Sequence, residues 1–213
     1  MSTDSAMSSL ISPDTSVSPH PTLKLGVMAS GSGSNFEAIA QAIADRQLNA
    51  QIQVLIYNNP GAKVAARADR WSVPSVLLDH RNFSSREALD EAIVSTLQQR
   101  GVEWVIMAGW MRIVTPVLIA AFRDRILNIH PSLLPSFKGN RAVEQALKAG
   151  VKIAGCTVHR VVTEVDSGEI IMQAAVPVLP DDTPERLQNR IHAQEHCIYP
   201  RAIALAASQV SID

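Results

Sequence analysis

Asn128 and His130 lie two positions apart in Asn128-Ile-His-Pro-Ser-Leu-Leu-Pro135, and their types and spacing suit acyl-group chemistry. An amide N–H can hold an oxyanion, and an imidazole can move a proton. The run follows Arg125-Ile126-Leu127, a short apolar stretch that reads as a buried strand, so the pair is expected to begin where that strand ends. In an extended chain alternate side chains share a face, which sends Asn128 and His130 one way and Ile129 the other. Pro131 biases His130 toward an extended backbone and ends any helical option there. Open α/β sheets carry their chemistry at the carboxyl ends of strands, where this pair would sit. Taken alone, the pair reads more plainly as a strand-to-loop exit with a solvated Asn and a satisfied His. Other elements of the chain have to decide.

One such element is Ser30-Gly-Ser-Gly-Ser-Asn35, which directly follows an apolar strand at Leu23–Ala29. Phe36, Ile39, Ala40, Ile43 and Ala44 then recur at helical spacing. Strand, glycine loop and helix together aim free backbone N–H groups and a positive helix end at an anion. A dinucleotide fingerprint would need a third glycine where Phe36 stands, and a Walker loop a lysine that is absent, so a single phosphate fits better. A side chain at Gly33 would be expected to intrude on that anion. The plainer alternative is a serine-capped helix after a turn.

The remaining elements repeat strand and helix. Strands are expected at Gln51–Tyr57, Val76–Leu78 and Trp104–Ala108, and helices at Ala62–Trp71, Ser84–Arg100 and Thr115–Phe122. Arg81 and Arg86 near the start of the second helix could reach a carboxylate. Gly109–Val114 leaves the sheet beside Asn128, offering free backbone groups and the apolar side chains of Met111, Ile113 and Val114 to a flat heterocycle. A helix follows over Arg141–Lys148, then strands at Ile153–Val162 and Ile170–Val178. His159 on the first of these reads as a satisfied sheet histidine, and Asp166 in the polar turn between them as a turn-forming residue. Thr183-Pro184 opens a last helix, whose apolar stripe is followed by Pro200. Four strands each followed by a helix imply an α/β fold with a mostly parallel sheet.

Composition narrows the function classes. A formal net charge of −1 gives no footprint for nucleic acid or an anionic membrane, and no apolar run is long enough to span a bilayer. Cys156 and Cys197 have no metal or redox spacing and suit a reducing cytosol, so a cytoplasmic protein without a metal is expected. Residues 1–22 are rich in Ser, Thr, Pro and Asp and are expected to be a disordered leader, with a single domain over 23–213.

Four segments together resemble one family: Ser30–Asn35, Ala108-Gly-Trp-Met-Arg-Ile113, Asn128–Pro135, and Gly155–Gly168 with its Thr157-Val-His and Glu164-Val-Asp runs. The chain is similar in all four to the phosphoribosylglycinamide formyltransferases, over about residues 23–208. The resemblance implies a Rossmann-like sheet with helices on both faces and an antiparallel C-terminal extension. It implies transfer of a formyl group from 10-formyltetrahydrofolate to glycinamide ribonucleotide in purine biosynthesis, with Asn128, His130 and Asp166 catalytic. Gly33, Ser34 and Asn35 would hold the substrate phosphate and Glu195 the ribose. The folate would lie against Met111, Arg112, Ile113, Val114, Asn128, Thr163 and Asp166, with Arg86 and Arg112 near its glutamate tail. One departure stands out: some relatives carry Gln near the phosphate where this chain has His192. Partners would be small molecules, with no nucleic acid and no membrane, and the state a monomer or weak homodimer. The rivals are another formyltransferase or hydrolase using the same donor, and a non-catalytic folate- or nucleotide-binding module.

Overall fold

Apolar strands alternating with amphipathic helices give the chain one eight-stranded sheet, in the order β1-β8-β7-β6-β5-β2-β3-β4. The structure is a computed structural model and describes residues 10–13 and 20–210. The strands are β1 (Leu10–Ser12), β2 (Leu23–Ala29), β3 (Ala50–Tyr57), β4 (Ser75–Leu77), β5 (Trp104–Met107), β6 (Ile126–His130), β7 (Ile153–Arg160) and β8 (Ile170–Pro177). The helices are α1 (Ser34–Ala44), α2 (Lys63–Arg70), α3 (Arg86–Gln99), α4 (Pro116–Ala121), α5 (Ala142–Ala149) and α6 (Pro184–Gln209). Neighbours from β4 through β3, β2 and β5 to β6 pair in parallel, and β7, β8 and β1 extend the sheet antiparallel.

Both faces of the sheet are covered, as its near-continuous apolar strands require. Phe36 and Ile39 of α1, Val64 and Ala68 of α2, Val143 of α5 and the apolar stripe of α6 pack on one face. Leu89, Ile93 and Leu97 of α3 and Leu118 of α4 pack on the other. Every residue of β5 is buried, as befits a central strand. Ser85 caps α3 by accepting from Ala88 N, and Thr115 caps α4 by accepting from Val117 N. Among the described residues no helix is long and apolar enough to cross a membrane.

Two sequence expectations are corrected. The strand carrying Asn128 does not end before it: β6 runs to His130, because Asn128 pairs with His159 and His130 with Thr157 in the antiparallel ladder. The last helix passes through Pro200 and runs to Gln209. A proline inside a helix costs about 3 kcal/mol, and each fully buried aliphatic side chain stabilises by about 1.5–3 kcal/mol. Ile203 and Leu205, buried beyond the proline, outweigh that cost. The expected disordered leader lies largely outside the described residues, but Leu10–Ser12 forms a strand on the open edge of β8, with Ile11 against the core.

Candidate active site

The antiparallel turn-back after β6 creates the chemistry. Asn128 and His130 share a face of β6, as strand alternation requires, and His159 and Thr157 lie opposite them on β7. The turn between β7 and β8 folds back over this face. Gly168 permits the close approach, since a Cβ there would stand 1.9 Å from the Arg160 carbonyl. Asp166 takes a φ of 49°, a left-handed conformation that Asp tolerates better than most residues.

The result is a buried cluster. Asp166 Oδ2 lies 3.2 Å from His130 Nδ1, and its Oδ1 lies 3.5 Å from His159 Nε2. Gly139 N donates to Asp166 Oδ2 at 2.8 Å. The carboxyl is pushed up by burial, but hydrogen bonds from His159 and Gly139 N–H and the charge of His130 hold it below the usual carboxylate range. His130 Nε2 lies 2.9 Å from the Phe137 carbonyl. Both ring nitrogens therefore face oxygen acceptors, which the imidazolium satisfies with two N–H donors. His159 Nδ1 donates to the Arg160 carbonyl at 2.8 Å, and its Nε2 lies 3.1 Å from Asn128 Nδ2. The neutral His159 ring accepts from Asn128; the protonated ring donates to Asp166. Asn128 keeps a second amide hydrogen for another acceptor.

A cleft of about 870 Å³ runs from this cluster to the glycine loop. Gly33 has a φ of 75° and sits at the N-terminus of α1, with no side-chain cap there. A Cβ on Gly33 would stand 2.4 Å from Val64 Cγ2, so the expected intrusion is on α2 rather than on an anion. Asn35 Nδ2 donates to Glu195 Oε2 at 2.8 Å, and Asn35 Oδ1 is buried without a partner. Tyr199 Oη stands 3.1 Å from the Met107 and Leu127 carbonyls, which fixes the register of α6 under β5 and β6. One turn earlier the same helix delivers Glu195 beneath Asn35. Burial pushes the Glu195 carboxyl up, opposed by the Asn35 hydrogen bond and by His192 and His130. His192 Nε2 is 3.9 Å from Glu195 Oε2 and accepts from Gln188 Nε2 at 2.9 Å in its neutral form. Its ring stacks on His196 at 6.3 Å.

The structure brings the expected residues together. Gly33, Ser34, Asn35, Arg86, Met111, Arg112, Ile113, Asn128, His130, Asp166, His192 and Glu195 line the cleft. Val114 and Thr163 line a smaller apolar pocket of about 70 Å³ that adjoins it through Asn128, Ile113 and Asp166. Arg81 does not join them; its guanidinium is paired with Asp79 at 2.7 Å. His159 is the satisfied sheet histidine that the sequence suggests, with partners at both ring nitrogens, and those at Nε2 tie it to Asn128 and Asp166. Its spacing of two from Thr157 marked the face, but its partner strand was not legible. Arg141, at a φ of 61°, also lines the cleft and was missed.

The profile of the formyl transferase family matches residues 23–203. The chain is 44% identical over 190 residues to the trifunctional purine biosynthetic protein adenosine-3 of Drosophila pseudoobscura pseudoobscura, covering 88% of this chain and 14% of that protein. It thus spans about one-seventh of the length of that relative. It is 42% identical to the phosphoribosylglycinamide formyltransferase of Bacillus subtilis, over 84% of this chain and 92% of the relative. Among solved structures, glycinamide ribonucleotide transformylase 1 of Symbiobacterium toebii superposes with a TM-score of 0.87 at 47% identity, over 90% of this chain and 91% of that one. The phosphoribosylglycinamide formyltransferase of Bacillus halodurans superposes at 0.85 and 41% identity, over 88% and 97%.

Proposed function

The chain belongs to the formyl transferase family, and from that premise we propose that it moves a formyl group from 10-formyltetrahydrofolate to the amine of glycinamide ribonucleotide, a step of purine biosynthesis. The observation that carries the reading is one cleft holding three different kinds of surface. A glycine loop at a helix N-terminus suits a phosphate. The exposed side chains of Met111 and Ile113 on the cleft wall suit one face of a flat heterocycle. Between them lie Asn128, His130 and Asp166, a set whose amide donor and carboxylate-paired imidazole suit acyl transfer.

Glu195 and Asn35 would meet the ribose hydroxyls and phosphate of the amine substrate. Asn35 Oδ1, buried and unpartnered, is an acceptor waiting for such a hydroxyl or N–H. Arg86 and Arg112 on the cleft wall would take the carboxylates of the folate tail. The folate supplies the formyl carbon. The amine nitrogen bonds to that carbon, and the carbon's bond to the folate nitrogen breaks. The amine loses a proton and the folate nitrogen gains one, so no net proton is released.

Asn128 donates its free amide hydrogen to the oxygen that becomes negative. His130, whose Nδ1 lies 3.2 Å from Asp166 Oδ2, donates the second bond from Nε2–H. Its Nε2–H is engaged by the Phe137 carbonyl, so that carbonyl must give way before the ring can serve a substrate oxygen. A carboxylate kept charged beside the ring is the electrostatic requirement for this role, and the depressed Asp166 pKa supports it. The test is an assay with both substrates, following release of tetrahydrofolate. Turnover that requires both is the expected result; hydrolysis of the donor without the amine substrate, or no turnover, overturns the proposal.

A further inference from the structure

The chain from Gly109 to Thr115 leaves β5 and enters α4, and hydrogen bonds pin both its ends. At its start Met111 N donates to Ser30 Oγ at 2.8 Å, and Ser30 N donates to the Gly109 carbonyl at 3.0 Å. At its end Thr115 N donates to Asp90 Oδ2 at 2.5 Å. Ser30 is 6% exposed and Asp90 2%, so both anchors are buried. Trp110 and Val114 are buried in the core, but Met111 between them is 72% and Ile113 55% exposed, so packing holds the flanks of this stretch and leaves its middle to the hydrogen bonds. An exposed middle with few buried contacts of its own shifts readily unless the backbone on either side is held.

Asp90 is an unusual side chain to find where it is. It sits in the apolar stripe of α3 between Leu89 and Ile93, where burial pushes its carboxyl up. A hydrophobic residue would suit that packing better, and the hydrogen bond to Thr115 is what the carboxyl provides there. Ser30 is equally particular. It heads the glycine loop, and Asn59 Nδ2 donates to its carbonyl at 2.8 Å, yet its hydroxyl serves the neighbouring segment.

We infer that Ser30 and Asp90 are positioning residues for the folate side of the cleft, clamping residues 110–114 into the shape that receives the heterocycle. The inference rests on the functional reading above, which assigns that segment to the formyl donor. Ser30 acts through the backbone of Met111, and Asp90 through that of Thr115. If a released clamp left the segment competent about a tenth of the time, the apparent Kd for the folate would rise about tenfold, with every direct contact unaltered.

Calorimetric titrations of tetrahydrofolate and of glycinamide ribonucleotide, each alone, separate this role from general damage. Ser30→Ala and Asp90→Ala should bind tetrahydrofolate about tenfold more weakly and glycinamide ribonucleotide within about twofold of the parent. Asp90→Asn keeps an acceptor for Thr115 N and should bind both ligands within about twofold. In steady-state assays KM for the donor should rise more than kcat falls. Equal weakening of both ligands in Ser30→Ala overturns the inference, as does no weakening of either. So does an Asp90→Asn protein that loses folate binding, since charge rather than the clamp would then matter. Should Asp90→Ala fail to fold, Ser30→Ala and Asp90→Asn still decide. A parent protein that binds neither ligand overturns the functional reading together with this inference, whereas normal binding by the parent and unaltered variants overturns the inference alone.

Discussion

Asp166 and Glu195 are buried carboxylates lining the same cleft, and their surroundings push them in opposite directions. Burial raises both, but Asp166 has His130, His159 and Gly139 N–H around it, and its carboxyl ends low. Glu195 has chiefly the Asn35 amide, and burial prevails. The two regions differ in backbone as well. The glycine loop is tied from outside, with Val64 N donating to the Gly31 carbonyl at 3.2 Å and Arg67 Nε to the Ser32 carbonyl at 2.8 Å. In and around the cluster of Asn128, His130 and Asp166, the non-glycine residues Phe137, Arg141 and Asp166 are held at positive φ. Such positions cost about 1–3 kcal/mol each and persist only where surroundings impose them. One side of the cleft is a glycine-loop cradle tied in place from outside; the other is a strained wall organised around a charge.

If that division is correct, substitutions in the wall should remove turnover and spare the amine substrate. His130→Ala is the severest case, with kcat expected to fall about a thousandfold or more. Asn128→Ala should cost about a hundredfold to a thousandfold by losing one oxyanion donor. Calorimetry should find glycinamide ribonucleotide bound within about threefold of the parent by both proteins. Weakened substrate binding that matches the loss of turnover would erase the division between the two regions.

The cradle offers the converse test. Gly33→Ala combines a left-handed backbone, costing about 1–2 kcal/mol for a residue with a Cβ, with the Val64 contact at 2.4 Å. It should lower the melting temperature by several degrees and weaken the amine substrate more than the folate. Gly31→Ala, where nothing stands within 4 Å of the added Cβ, should do neither. Equal damage from the two would mean that the loop's small size, rather than its fit against α2, is what matters.

The carboxylates make a smaller, pH-dependent prediction with two signs. Asp166 has a depressed pKa, so its stabilisation is present above its unfolded pKa and is lost as pH falls through the folded value. Asp166→Asn should therefore melt a few degrees lower at neutral pH, with the gap closing in acid. Glu195 has a raised pKa, so its contribution is present below the unfolded value and lost as pH rises through the folded one. Glu195→Gln should gain on the parent as pH rises. Melting curves between pH 3 and 8 would read both, and two gaps of the same sign would break the comparison.

The cradle and the wall were also unequally legible in the sequence. The parallel strands and the glycine loop announce themselves, because apolar runs, helical spacing and a strand-to-helix junction are local signals. Asn128 and His130 could be placed on one face for the same reason. What could not be read was register. His159 joins the cluster only because β7 runs back against β6 with Asn128 opposite it. The clash behind Gly33 needs α2 docked on the loop, and the Asp90 bond to Thr115 spans 25 residues. Asp166 looked like any turn aspartate, and only the resemblance singled it out. Long-range contacts between irregular segments leave no periodic trace in the chain that makes them.

The smallest expected effect concerns β1, which the wall carries and the cradle does not. Leu10–Ser12 pairs with Gln173–Ala175 of β8, and Gln173 Nε2 in turn donates to the Leu134 carbonyl and to Thr157 Oγ1. Thr157 Oγ1 donates to the Ser132 carbonyl at 2.7 Å and accepts from Leu134 N, so the chain beyond His130 hangs on this network. Yet β1 contributes three residues at an edge, and only Ile11 packs against the core. Removing residues 1–13 should therefore lower the melting temperature by about 2–4 °C, the scale of about 1 kcal/mol in a domain of this size. The network itself, built on β7 and β8, should stand without β1, leaving kcat and both KM values within about twofold of the parent. A truncated protein that melts normally but turns over slowly would show the edge strand to be part of the wall's support. In that event the strain around Phe137 and Asp166 would be restrained from the sheet edge as well as from within the cluster.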